Sequence, residues 1–169
     1  GHPAWHGTLL PASDADIWLV TAFANYERIV ALEHRLRHDA TEEKAPEEMF
    51  DAVAVEIAYY RSLYELGARA GKDVPLGLTQ SSYRDQQWHR VATGKGVLLL
   101  HSLRGIIGAE PFDRAMDEFG RKHAGQQVSS SDFERFLQAR TGQALGPLFD
   151  WWLNQTGLPR LGLLAVKTR

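Results

Sequence analysis

Apolar residues recur at helical spacing through most of this chain. Ser13 is an N-cap type of residue, and Asp14 and Asp16 behind it favour a helix N-terminus. From there Ile17, Val20, Phe23, Ala24, Ile29 and Leu32 form a stripe that predicts a helix running to about His38. Asp39–Pro46 is a polar, acidic connector, and Pro46 suits a first helical turn. Phe50, Val53, Ile57, Tyr60, Leu63, Tyr64 and Leu66 outline a second long helix that stops near Gly67–Gly71. Lys72–Ser82, with Pro75, Gly77 and two serines, reads as a loop. A third helix is predicted from about Asp85 to Ile107, interrupted in sequence by Gly94 and Gly96. A fourth spans Glu110–His123, with Phe112, Ala115, Met116 and Phe119 turned inward. Ser131-Asp132-Phe133-Glu134 fits a capping box that starts a short helix ending near Gly142. Pro147–Gln155 is a last helix, closed by Gly157 and Pro159.

The pattern predicts an all-α fold, an irregular multi-helix array. Residues 1–160 form one helical unit, and 161–169 read as a tail or as the first strand of a following domain, since Leu161–Thr168 is apolar and carries the β-branched Val166. The length of 169 residues suits one domain, or one domain and the start of another. A chain of that size hides about two-thirds of its unfolded surface.

Composition removes several function classes. Hydrophobic residues make up 44% and charged residues 24%, ordinary for a soluble globular protein. The net charge is -2, so nothing marks a nucleic-acid partner, a class that shows a basic face. There is no cysteine, which excludes disulfides, thiolate zinc sites and cysteine nucleophiles. No apolar run reaches the roughly 18 residues of a membrane helix; Val97–Leu100 and Leu161–Val166 are far shorter. No signal peptide is visible, and the compartment stays open.

Two segments resemble the zinc aminopeptidases, the gluzincin metallopeptidases of the aminopeptidase N type. Gly94-Lys95-Gly96 through Leu103-Arg104 is similar to that family's "E-K-G-a-x-x-l-x-x-L-r", and Ile107-Gly108-Ala109-Glu110-Pro111-Phe112 to its "l-G-d-e-x-F". Asp132-Phe133, Gly142-Gln143-Ala144-Leu145, Phe149 to Gln155 and Gly157-Leu158-Pro159 follow in the family's order. Upstream, Ile17 to Tyr26 resembles "l-W-L-n-E-G-F-A-x-Y", with Trp18, Leu19, Phe23, Ala24 and Tyr26 matching. The resemblance runs from His2 to Pro159. It implies the C-terminal helical subdomain of a thermolysin-like metallopeptidase domain.

The resemblance also implies a chemistry. Zinc held by three protein ligands keeps a fourth position for water, a glutamate takes that water's proton, and a tyrosine stabilises the oxyanion. The family's ligand glutamate follows the second histidine of H-E-x-x-H by 19 positions. Here that glutamate position is Thr21, and 19 positions back is His2. The sequence therefore begins, by resemblance, at the second zinc histidine, and Trp5 fits the family's "H-q-W-W-G". The oxyanion tyrosine position before "E-K-G" is Thr93. Tyr83, ten residues earlier, could substitute only if its loop rearranged. His2 is thus the one candidate metal ligand in the chain, and no cofactor is expected in it. Zinc is left to a full-length parent.

Other groupings have plainer explanations. His2 and His6 stand at i, i+4, but Pro3 and Gly7 surround them; His34 and His38 lie among arginines and read as a basic C-terminal turn. Glu42, Glu43, Glu47 and Glu48 read as a solvated helix start. Gly94-Lys95-Gly96 lacks the spacing of a phosphate loop. Ser129-Ser130-Ser131 with His123 and Asp132 supplies triad residue types without a nucleophile elbow. Of Trp151 and Trp152, one is expected in the core and the other at a contact surface or a second buried face. Function then reduces to two readings: a non-catalytic aminopeptidase-like domain acting as a binding or scaffold module, or the C-terminal half of an active zinc aminopeptidase whose missing ligands lie upstream, with Asp14, Asp16 and Glu27 the nearest carboxylates to Thr21. The expected partners are the upstream half of the same polypeptide, a peptide, and a second copy in a homodimer.

Overall fold

The computed structural model describes residues 2–40 and 46–159, and the helical reading holds in them. Ser13 opens the first helical path: its N–H and hydroxyl donate to Asp16 Oδ2 at 3.1 and 2.8 Å. That closes one 3-10 turn over Asp14–Asp16, which runs into α1, Ile17–Asp39. The buried face of α1 carries Trp18, Leu19, Ala22, Phe23, Tyr26, Ile29, Val30 and Glu33. This lies a step round the helix from the predicted stripe, since Ile17, Val20 and Leu32 are only half-buried and Ala24 is exposed. Trp18 and Tyr26 bury the largest side chains on α1, and they decide which face turns inward.

The second helix, α2, spans Pro46–Gly67 and ends in a single π turn, Ala68–Lys72. The loop after it contains one 3-10 turn, Leu76–Leu78. The third, α3, spans Gln87–Ile107 without a break. Its stretch from Val91 to Leu100 is buried at every position, so α3 is the axis of the array. The glycines that interrupt its pattern are what let its neighbours close in. A Cβ on Gly94 would stand 2.6 Å from the Tyr60 carbonyl oxygen of α2, and one on Gly96 would stand 2.9 Å from the Trp18 carbonyl oxygen of α1.

The remaining helices are α4, Ala109–Lys122, α5, Ser130–Thr141, and α6, Gly146–Asn154. Phe112, Ala115, Met116 and Phe119 of α4 are buried as predicted, and they meet Phe133, Leu137, Phe149 and Trp152 from α5 and α6 in one core. The start of α5 corrects the sequence expectation. The cap is Ser129, not Ser131: Ser129 Oγ accepts from Asp132 N at 3.1 Å, and the Asp132 carboxylate accepts from Ser129 N at 3.1 Å. Ser131 is exposed inside the first turn. Two short parallel strands, β1 (Leu10–Pro11) and β2 (Gln127–Val128), pair Leu10 with Gln127 and Pro11 with Val128. They pin the N-terminal segment beside α5 and leave the class all-α. The acidic connector with Glu42 and Glu43, the side chains of Glu47 and Glu48, and the expected strand over 161–168 lie outside the described residues.

Candidate functional site

The α1–α3 contact places the two positions singled out by the sequence. Thr21 sits in the first turns of α1, half-buried, and its hydroxyl donates to the Trp18 carbonyl at 3.3 Å. Its own carbonyl accepts from Asn25 Nδ2 at 2.7 Å, and Asn25 Oδ1 accepts from Tyr60 OH at 3.0 Å. Burial, the largest influence on the Tyr60 phenol, raises its pKa and keeps it a neutral donor. Thr93 is 3% exposed on α3, and its Oγ1 has no hydrogen-bond partner among the described residues. A cleft of about 350 Å³ opens between α1, α2 and α3, lined by Asn25, Tyr60, Gln87, Arg90 and Thr93 among others; Thr21 is not in its lining.

A buried hydroxyl without a partner costs more than the methyl of the same shape. Thr93→Val is therefore expected to stabilise the chain by about 1 kcal/mol in urea denaturation.

The described residues do not fit a zinc ion. At the position that the resemblance assigns to the ligand carboxylate, Thr21 offers a neutral hydroxyl tied to its own helix. The carboxylates nearest in sequence are committed elsewhere. Asp14 Oδ2 accepts from the Ser81 N–H and hydroxyl at 2.8 and 3.0 Å. Asp16 is buried, with Oδ2 on Ser13 and Oδ1 accepting from the Ser130 N–H and hydroxyl at 2.7 and 2.9 Å. Glu27 Oε1 accepts from Ala4 N. His2 is exposed, and no group of three or more His, Cys, Asp or Glu side chains gathers as a ligand set among the described residues.

The other candidates resolve into structural roles. No helix forms around His2 and His6; His6 Nδ1 lies 2.8 Å from Asp117 Oδ1. His34 pairs with Asp113 at 3.1 Å and His38 with Asp39 at 3.3 Å. Tyr83 is fully exposed. Ser129 caps α5, and Ser130 accepts from Trp18 Nε1 at 2.9 Å while binding Asp16. Trp152 is buried, and Trp151 is half-buried with its ring centroid 5.6 Å from Lys95 Nζ. Lys95 itself is fully buried in mid-helix, so Gly94-Lys95-Gly96 is no loop. Its Nζ donates to the Gln155 carbonyl at 2.6 Å. Burial pushes its pKa down to about 8, against the opposing pull of Asp73. Asp73 Oδ2 accepts from Tyr64 OH at 2.8 Å and from Gly157 N at 2.9 Å, so this cluster fastens the end of α6 to α2 and α3.

Sequence reasoning missed the largest charged cluster. Arg104, 8% exposed, donates Nη1 and Nη2 to Glu33 at 2.6 and 3.3 Å. Its Nε and Nη2 reach Asp113 at 2.9 and 3.0 Å. Burial would lower the guanidinium pKa, but Glu33 and Asp113 outweigh it and raise it. Beside it, Tyr26 OH lies 2.9 Å from His101 Nδ1. Burial raises the tyrosine and lowers the histidine, which favours the neutral form of both. The signal was present in the chain: Glu33 follows Ile29 and Arg104 follows Leu100, each four residues on along a buried face.

Comparison with known proteins places this architecture. The profile of the peptidase family M1 domain matches residues 2–152. An M1 zinc metallopeptidase of Deinococcus radiodurans, solved with a Tyr-Ser-Ala substrate bound, superposes with a TM-score of 0.62 and 22% identity, over 93% of this chain and 32% of that one. Another structure described as the M1 zinc metallopeptidase of that organism gives a TM-score of 0.60 at 22% identity, over 89% of this chain and 30% of that one. At this identity the likeness establishes the fold alone. The Tricorn protease-interacting factor F2 of Thermoplasma volcanium is 24% identical over 76 residues, 45% of this chain and 10% of that protein. Aminopeptidase M1 of Arabidopsis thaliana is 22% identical over 93 residues, 55% of this chain and 11% of that protein. The chain thus spans about a tenth of the length of these curated relatives and about a third of the solved ones. With the family profile running through the helical array from the N-terminal segment to Trp152 of α6, the chain belongs to peptidase family M1.

Proposed function

We propose that this chain is a non-catalytic M1-type module that keeps the family's helical scaffold for binding. One observation carries this: the two positions that the resemblance assigns to the third zinc ligand and the oxyanion tyrosine are both threonines, and each is packed into the helices. Thr21 bonds to its own helix and Thr93 is buried on α3. Neither position offers the carboxylate or the phenol that the chemistry requires. The cleft at Asn25 and Thr93 survives without them, because its shape depends on helix packing and not on a metal. Gln86, Gln87 and Asn25 give it amide donors and acceptors that suit a peptide main chain.

The proposed partner is the rest of an M1 domain in any longer polypeptide that carries this chain. In support, α2 turns Val55, Tyr59 and Leu66 outward on one face, 67%, 58% and 51% exposed. The test is hydrolysis of alanyl- and leucyl-p-nitroanilide by the longest natural polypeptide carrying the chain, with zinc supplied. Release no faster than the uncatalysed background is expected. Chelator-sensitive turnover would overturn the proposal and establish a working ligand set without Thr21.

A further inference from the structure

A second cavity, sharing no lining residue with the cleft at Thr93, lies where α1, α2 and α3 meet near the start of α4. Its volume is about 740 Å³, within the range of small-molecule sites. One wall is apolar, built from Phe50, Val53 and Ile57 of α2. The rest of the lining is largely polar: the Arg104–Glu33 pair, the Tyr26–His101 pair, Arg37 of α1 and Arg61, one turn after Ile57 on α2.

The balance of that polar lining is specific. Three arginines line the cavity against one carboxylate. Glu33 already takes three guanidinium contacts: Arg104 reaches both its oxygens, and Arg37 Nη2 approaches Oε1 at 2.6 Å. Most of the hydrogen-bonding capacity left over is therefore donor capacity. Arg61 is exposed on α2 and has no ion-pair partner among the described residues. His101 Nδ1 is taken up by the Tyr26 hydroxyl at 2.9 Å, and its Nε2 has no partner among the described residues. Arg104 holds its place through two carboxylates, so its part of the lining is fixed before any ligand arrives.

We propose that this cavity binds a small monocarboxylate with an apolar body, its chain against Phe50, Val53 and Ile57 and its carboxylate at Arg61 and His101. The inference stands apart from the proposed loss of peptidase chemistry and does not depend on it.

Isothermal titration of the full chain with sodium decanoate and with N-acetyl-leucyl-leucine tests it, since both carry this chemistry and the tighter one identifies the source as a free fatty acid or an apolar peptide C-terminus. Saturable one-to-one binding is expected for at least one. Decanamide, the same chain without the charge, is expected to bind about tenfold more weakly than decanoate. Arg61→Ala is expected to weaken the bound acid about fivefold. Ala58→Trp, at an exposed alanine of the lining, fills the cavity and is expected to abolish binding. Both variants should keep the wild-type circular dichroism, because neither side chain is in the core. Failure of both acids to bind would overturn the proposal. So would unchanged affinity in Ala58→Trp, or decanamide binding as tightly as decanoate.

Discussion

Arg104→Ala is expected to be the most damaging single substitution in the chain, costing about 3–5 kcal/mol in urea denaturation. The reason is what it leaves behind. Glu33 is 6% exposed and Asp113 is half-buried, and both lose the guanidinium that compensates them. The double change Arg104→Met with Glu33→Leu should recover part of the loss, because it removes a stranded charge together with its partner. The same network fixes the pH dependence. Burial alone would raise the Glu33 pKa; Arg104, then Arg37 and His34, outweigh it and hold the carboxyl below its ordinary 4.5. A carboxylate depressed in the folded state stabilises above its unfolded pKa, and that contribution drains away as pH falls through the folded value. His101 is depressed below 6.5, first by burial and then by Arg104, so it too is neutral in the fold and opposes protonation. Stability should therefore decline from about pH 6.5 downward through His101 and more steeply below about pH 4.5 through Glu33. A flat profile between pH 7 and pH 3 would contradict the network.

Gly94→Ala is expected to cost about 2 kcal/mol, although the same change stabilises most helices. An added Cβ would meet backbone, not a side chain that could swing away: the Tyr60 carbonyl oxygen at 2.6 Å and the Tyr64 nitrogen at 2.7 Å. The two helices would have to part. Gly105, on the same α3, has nothing within 4 Å of its added Cβ and is exposed, so Gly105→Ala is expected to stabilise by about 0.5–1 kcal/mol. Thermal denaturation of the two variants side by side gives opposite signs if α2 and α3 are packed as described. Two stabilised variants would mean that they are not.

The helices were legible because their periodicity is local. Phe112, Ala115, Met116 and Phe119 could be placed inward from spacing alone, and they are buried. The start of α5 was not legible for the opposite reason. Ser129 with Asp132 and Ser131 with Glu134 are equivalent as sequence, each a serine with an acid three residues on. The choice falls to Ser130, which must reach Asp16, 114 positions away in the chain, through its N–H and hydroxyl. Gly94 and Gly96 looked like interruptions because their use lies in the neighbouring helices that approach them. The Arg104 cluster was overlooked because its members come from three helices, and only the fold brings Glu33, Arg104 and Asp113 together. The resemblance, by contrast, assigns Thr21 and Thr93 to family positions without reference to packing, and zinc content is what tests that assignment.

Zinc content decides the central claim most directly. The longest natural polypeptide carrying this chain would be purified without chelator, dialysed against zinc and then against buffer, and measured by elemental analysis. Less than about one-tenth of an equivalent is expected, because by resemblance Thr21 takes the place of the carboxylate ligand. Near-stoichiometric zinc would contradict the account, and would mean that another side chain completes the site.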